Sequence, residues 1–250
     1  MNTKSSISKF VVDAKNLATR ELNEKIREAI RDGHKQIDIQ NVSGQRYIAA
    51  GIQELIDIEI FGVPGNDLGV FMDGSKVVVH GNAQDATGNT MNSGEIIIHG
   101  DVGDITGMSA RGGKIFIQKN AGYRTGVHLK EYQGLRPVIV IGGTAQDFLG
   151  EYMAGGVIIM LGLNLKGGIH NADYVGTGMH GGSIILRGDV RGIGREVEVQ
   201  QLDQEDNRLV EHSVQEYSKH FGCKVDEILE SKFKKLKPVS TRPYGNLYSY

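Results

Sequence analysis

The sequence predicts a mainly β protein: a parallel β-helix of stacked coils, flanked by N- and C-terminal α-helices. Three observations carry that reading. Glycine recurs at a nineteen-residue stride, in one series at Gly62, Gly81 and Gly100 and in a second at Gly69, Gly88, Gly107 and Gly126. The stride resumes at Gly143 and Gly162, and Gly150 keeps the seven-residue offset between the series. Such a period is too short for a helical-hairpin repeat and suits a β-coil. In step with it, short apolar runs alternate in polarity, and one of their outward columns alternates in charge.

Taken in order, residues 1–35 contain one helix, the expected N-terminal helical cap. Thr19 is its N-cap by sequence, Leu22, Ile26, Ala29 and Ile30 form its apolar stripe, and Gly33 follows as a C′ glycine. Residues 36–195 carry the repeat. A looser coil opens the stack at Ile37–Ile39, where Gly44 and Gly51 keep the seven-residue spacing. Strands follow at 56–62, 76–81, 95–100, 114–119, 138–143, 157–162 and 183–188. The double glycines at 112–113, 155–156 and 181–182 mark sharp turns into the next strand. The coil after Lys119 is longer by five residues and the one after Gly162 by seven.

Strand alternation sends neighbouring side chains to opposite faces. Ile58/Ile60, Val77/Val79, Ile96/Ile98, Ile115/Ile117, Ile139/Ile141, Ile158/Met160 and Ile184/Leu186 must point inward. Asp57, Lys76, Glu95 and Lys114 then form an outward column of alternating sign, which penalises a one-coil slip. Val78, Ile97, Phe116, Val140, Ile159 and Ile185 form an outward apolar stripe that something must cover, the terminal helices or another subunit. Residues 196–250 return to helical period as a C-terminal helical extension and tail. Leu209, Val210, Val214, Tyr217 and Phe221 form one stripe ended by Gly222, and Val225, Ile228, Leu229 and Phe233 form another before Pro238. A tyrosine-rich tail runs from Tyr244 to Tyr250.

Composition narrows the function classes. A net charge of −2 over 250 residues offers nothing to nucleic acid or an anionic membrane. The single cysteine, Cys223, excludes an internal disulfide and a cysteine-held cluster or zinc site. Residues 1–5 lead into no apolar segment and no run is long enough to span a bilayer, so a cytoplasmic protein is expected.

Four motifs invite chemistry. Gly176-Thr177-Gly178-Met179-His180-Gly181 matches the dinucleotide fingerprint, but Ser183–Gly188 reads as a strand where that motif needs a helix, so corner glycines are expected. His80 and His99 fall on adjacent coils, and Asp85, Asp104 and Asp147 form a column interrupted at Tyr123. Both are read as polar ladders on a solvated face rather than metal sites. Gly122–Tyr132, together with Asp147, Glu151 and Tyr152, gathers the most functionality and adjoins an insertion. It holds no nucleophile-and-base pair, which favours partner contact over catalysis.

The glycine repeat, with NVSGQRYIAAG (41–51), FGVPGNDLGVFMDG (61–74), RGGKIF (111–116), GYRTGVH (122–128) and GEYMAGGVIIMLG (150–162), resembles the β-helical G-x-G-x-G domain. That domain closes the large subunit of glutamate synthase, and the chain is most similar to its stand-alone subunit form, over about residues 10 to 190. The β-helical subunit of formylmethanofuran dehydrogenase is a more distant likeness. The resemblance implies a right-handed parallel β-helix without catalytic, cofactor-binding or metal-binding residues of its own. It implies FMN and iron–sulfur clusters on partner subunits, namely an amidotransferase and an FMN/iron–sulfur synthase. Asn2 stands where a glutaminase needs an N-terminal cysteine nucleophile. The expected role is a non-catalytic scaffold of a glutamate-synthase-like complex in ammonia assimilation. The alternatives are a formylmethanofuran-dehydrogenase-like scaffold and an autonomous carbohydrate-active β-helix enzyme. Self-association into a homo-oligomer is a further open alternative.

Overall fold

The computed structural model describes residues 9–241. The chain forms a parallel β-solenoid, in which one strand per coil stacks on the equivalent strand of the next. In order the elements are β1 (Lys9–Asp13), α1 (Thr19–Arg31), β2 (Gln36–Ser43), β3 (Asp57–Val63), β4 (Asp73–His80), β5 (Ser93–Ile98), β6 (Lys114–Ile117), β7 (Val138–Ile141) and β8 (Ala154–Met160). There follow β9 (Ile169–His170), β10 (Gly181–Arg187), β11 (Asp189–Val190), β12 (Val197–Gln200), α2 (Gln204–Phe221), α3 (Val225–Leu229) and β13 (Phe233–Pro238). Eleven strands make one sheet in the order β1-β2-β3-β4-β5-β6-β7-β8-β10-β13-β12. The strands from β1 to β10 pair in parallel.

The register is the one the glycine stride dictates. Asp57, Lys76, Glu95 and Lys114 sit opposite one another on successive strands, with Lys76 Nζ 3.7 Å from Glu95. The inward column from Ile58/Ile60 to Ile184/Leu186 is buried in one continuous core. α1 fills the N-terminal end of that core with Leu22, Ile26 and Ala29. Capping of this kind is what a solenoid needs, because its last coil otherwise leaves its interior open.

The outward apolar stripe is covered by α2. Val78, Ile97, Phe116, Val140, Ile159 and Ile185 form a second core with Val210, Val214 and Tyr217 of α2 and Ile228 of α3. Eighteen helical residues span about 27 Å. That is close to the five strand spacings from β4 to β10, about 24 Å in all. The helix therefore lies along the stack axis. Its first turn is held by a capping box between Asp203 and Asp206, and both carboxylates receive the buried ammonium of Lys235 on β13. Its last turns are held by Lys114 on Glu216 (2.6 Å) and His220 on Glu95 (3.3 Å).

The ends of the chain differ from the purely helical reading. Residues 9–13 form a strand that pairs with β2, a segment too short for periodicity to reveal. The N-cap of α1 is Ala18 rather than Thr19, whose hydroxyl instead accepts from the Arg46 amide at 3.3 Å. Phe233 belongs to β13 and not to a helix. β13 adds antiparallel to β10, occupying an edge that would otherwise stay unpaired, and β12 adds to β13. The tyrosine-rich tail from Tyr244 lies outside the described residues.

Candidate docking face

One side of each coil is a turn in which every second residue has positive φ. In successive coils the triplets are Asp67–Gly69–Phe71, Ala86–Gly88–Thr90, Ile105–Gly107–Ser109, Arg124–Gly126–His128 and Phe148–Gly150–Tyr152. Their amides bond to the coil before and the coil after in turn: Gly107 N to Thr87 O (2.7 Å), Ile105 N to Tyr123 O (2.8 Å), Ser109 N to Val127 O (2.9 Å). The ladder thus continues where no regular strand exists. The central position faces the core, so a Cβ on Gly69 would stand 2.7 Å from Ile96 Cδ1. In these five coils that column is glycine, and only in the looser first coil does a small side chain, Ala49, take its place. The flanking columns face solvent, where a side chain fits but the backbone costs roughly 1–2 kcal/mol for a residue with a Cβ.

Glycine would avoid that cost, yet consecutive coils place Arg124, His128, Phe148, Tyr152 and Tyr174 at such positions, with φ between 52° and 63°. They assemble into two columns. Phe148 and Tyr174 stack with centroids 4.9 Å apart, and the Arg124 guanidinium lies 5.4 Å from the Phe148 centroid. His128 stacks on Tyr152 at 5.4 Å. Arg124 Nε reaches the buried Glu151 carboxylate at 3.2 Å, which fixes the guanidinium. Tyr123 and Tyr174 are 47% and 57% exposed. A cavity of about 520 Å³ opens beside them, lined by Asp85, Asp104, Ile105, Tyr123, Arg124 and Phe148. Large rings, one oriented guanidinium and a concavity make up the composition of an interaction hot spot.

Sequence reading found part of this face. Tyr123, Arg124, His128, Glu151 and Tyr152 do come together. Lys130, Glu131 and Tyr132 belong to the inserted loop, which turns towards the start of α2: Arg136 pairs with Glu131 (2.9 Å) and Glu205 (3.6 Å). Phe148 and Tyr174 escaped notice. The signal for Phe148 was present, because it precedes Tyr152 by four residues as Arg124 precedes His128.

The other candidate motifs have structural roles. Gly176 and Gly178 have positive φ in the last such turn, a Cβ on Gly178 would strike the Tyr152 ring, and β10 follows the motif in place of a helix. In the aspartate column, Asp85 Oδ1 accepts from the Asp104 amide, Asp104 Oδ1 from the Tyr123 amide and Asp147 Oδ1 from the Asp173 amide, all at 2.9 Å. A parallel column that sequence reading missed does the same work: Asn82 receives the Asp101 amide and Asp101 the Asn120 amide (3.0 Å each), and Asn120 the Thr144 amide (3.1 Å). His80 and His99 stack at 5.4 Å within a longer column that runs from Phe61 to Phe221, so the ladder ends under α2 rather than in open solvent. Among the described residues, no three His, Cys, Asp or Glu side chains converge to hold a metal ion.

Two histidines make the fold sensitive to acid. His170 is fully buried between Thr144 Oγ1 (3.0 Å) and Arg187 O (2.8 Å), and burial pushes its pKa below the ordinary 6.5. Burial, and next the neighbouring His80, lower His99 as well. Both stay neutral in the folded chain at pH values where the unfolded chain has already taken up protons. Their contribution is therefore complete above pH 6.5 and falls as pH drops below it. Urea unfolding between pH 7.5 and 5 should show declining stability, and His170→Gln should flatten that slope.

The family model for the GXGXG motif matches residues 11–241. This chain belongs to the GXGXG family. The GXGXG chain is 50% identical over 254 residues to the uncharacterized protein MJ1350 of Methanocaldococcus jannaschii, with 97% of each covered. It shares its fold with a chain in the crystal structure of the formyltransferase/hydrolase complex (FhcABCD) from Methylorubrum extorquens in complex with methylofuran. That likeness has a TM-score of 0.62 and 22% identity over 92% of the GXGXG chain and 91% of the other. No helix among the described residues of the GXGXG chain is long and apolar enough to cross a membrane.

Proposed function

We propose that this chain is a non-catalytic scaffold subunit that docks the enzymatic subunits of a glutamate-synthase-like complex. The observation that carries the reading is the ring-and-guanidinium face of Arg124, His128, Phe148, Tyr152 and Tyr174. Residues of this size at positive φ cost stability without filling the core, and a partner's surface supplies the compensation. Flavin and iron–sulfur chemistry and glutamine hydrolysis would belong to the partners. Family membership and the glutamate-synthase-like segments support that assignment. A second reading, a scaffold for a formylmethanofuran-dehydrogenase-like assembly, is favoured by the fold shared with a chain of the formyltransferase/hydrolase complex.

Co-expression of the tagged chain with amidotransferase and synthase subunits encoded beside it should yield a stoichiometric complex on purification. Substituting Tyr123→Ala together with Tyr174→Ala, two exposed rings that leave the Arg124–Glu151 pair in place, should weaken association at least tenfold, about 1.4 kcal/mol, while leaving the melting temperature nearly unchanged. Recovery of the bare chain from every such co-expression would refute the scaffold role. Co-purification with formyltransferase-type subunits instead would select the second reading.

A further inference from the structure

We propose that two copies of this chain pair edge to edge through β1, antiparallel and centred on Val11, independently of the docking face above. β1 is the first strand of the eleven-stranded sheet, and among the described residues it pairs only with β2. Its other edge therefore presents a row of backbone donors and acceptors, the usual template for strand addition. The devices that normally blunt such an edge are missing from the middle of this one. Residues 9–13 hold no proline, and their register with 36–40 of β2 runs without a bulge. α1 closes the core at this end, so what remains open is hydrogen bonding and not apolar interior.

The sequence of the strand fits a second copy of itself. Antiparallel pairing about Val11 sets Lys9 opposite Asp13 of the copy, Phe10 opposite Val12, and Val11 opposite Val11, with every relation repeated by the two-fold axis. Both ion pairs fall on the outward face, where Val11 is 59% exposed between them. Lys9 already reaches Asp38 at 2.7 Å but keeps half its side chain in solvent. Asp13 uses Oδ1 for the Lys15 amide and Asn41, which leaves Oδ2 for the copy's lysine. The opposite end lacks this signature, since β12 carries Glu198 and no cation. Five residues on each side make a small interface, so the dimer should depend on concentration in the micromolar range.

Sedimentation velocity of the full chain over a concentration series tests this. The wild-type mass should rise towards twice the chain mass. Val11→Lys alters one exposed side chain, sets like charges at the two-fold axis, and should hold the protein monomeric with an unchanged melting temperature. Lys9→Asp and Asp13→Lys should each be monomeric alone and should dimerise when mixed, because each then offers the other its missing charge. A wild type that stays monomeric throughout, or a dimer indifferent to Val11→Lys, would overturn the proposal. So would a monomeric full chain that dimerises only after deletion of residues 1–8, since that result gives the edge to the chain's own first segment.

Discussion

Gly62→Ala is expected to cost the fold about 3–6 kcal/mol, a large effect for a single added methyl. Gly62 lies where β3 runs beside β2, at φ +129°, a region closed to L side chains. A Cβ there would also press well inside contact distance of the Val42 backbone, which cannot swing aside as a side-chain tip would. Relief would require the two coils to part and to lose the Val42–Gly62 register. Gly51→Ala is the control. Gly51 also has positive φ, at +62°, but a Cβ would meet nothing within 4 Å, so only the backbone term of about 1 kcal/mol should remain. Urea unfolding of both variants measures the difference. Equal losses would mean that conformational preference alone, and not coil-to-coil contact, selects these glycines.

Tyr217→Ala should be nearly as damaging, at about 4–5 kcal/mol. The ring is fully buried where α2 meets the sheet, packed against Phe221 at 4.6 Å, and its hydroxyl donates to Gln118 O at 2.9 Å. Burial raises the phenol's pKa, so the hydroxyl keeps its proton and its donor role. Removal opens a cavity over the outward stripe and leaves a carbonyl without its donor. Tyr217→Phe keeps the ring and should cost only about 1 kcal/mol. If the alanine variant unfolds with the parent's midpoint, α2 is not a structural part of the solenoid.

What was legible in the sequence had a period. The inward ladders, the alternating charges at Asp57, Lys76, Glu95 and Lys114, and the stripe under α2 each repeat in step with the stride, so one coil predicts the next. What lacked a period stayed hidden. β1 is a single short strand, and Phe233 fits a helical stripe as readily as a strand. The preference of β13 for the open edge of β10 is a tertiary effect that no local pattern records. The docking face was half legible. Arg124 and His128 belong to a regular coil, but insertions displaced Phe148 and Tyr174 from the stride, and the positive φ that makes those residues costly appears only in three dimensions.

The helix laid along the stack also changes how the solenoid comes apart. A bare stack of coils joins only nearest neighbours, so its ends can peel away while its middle holds. α2 touches strands from β4 to β10 and is itself tied to β13, beyond the last coil. Coils several places apart thereby share one set of contacts and must be lost together. The clasp should turn the coils from β4 to β10 from a chain of local equilibria into one cooperative unit, a stiffened segment rather than a fraying spring.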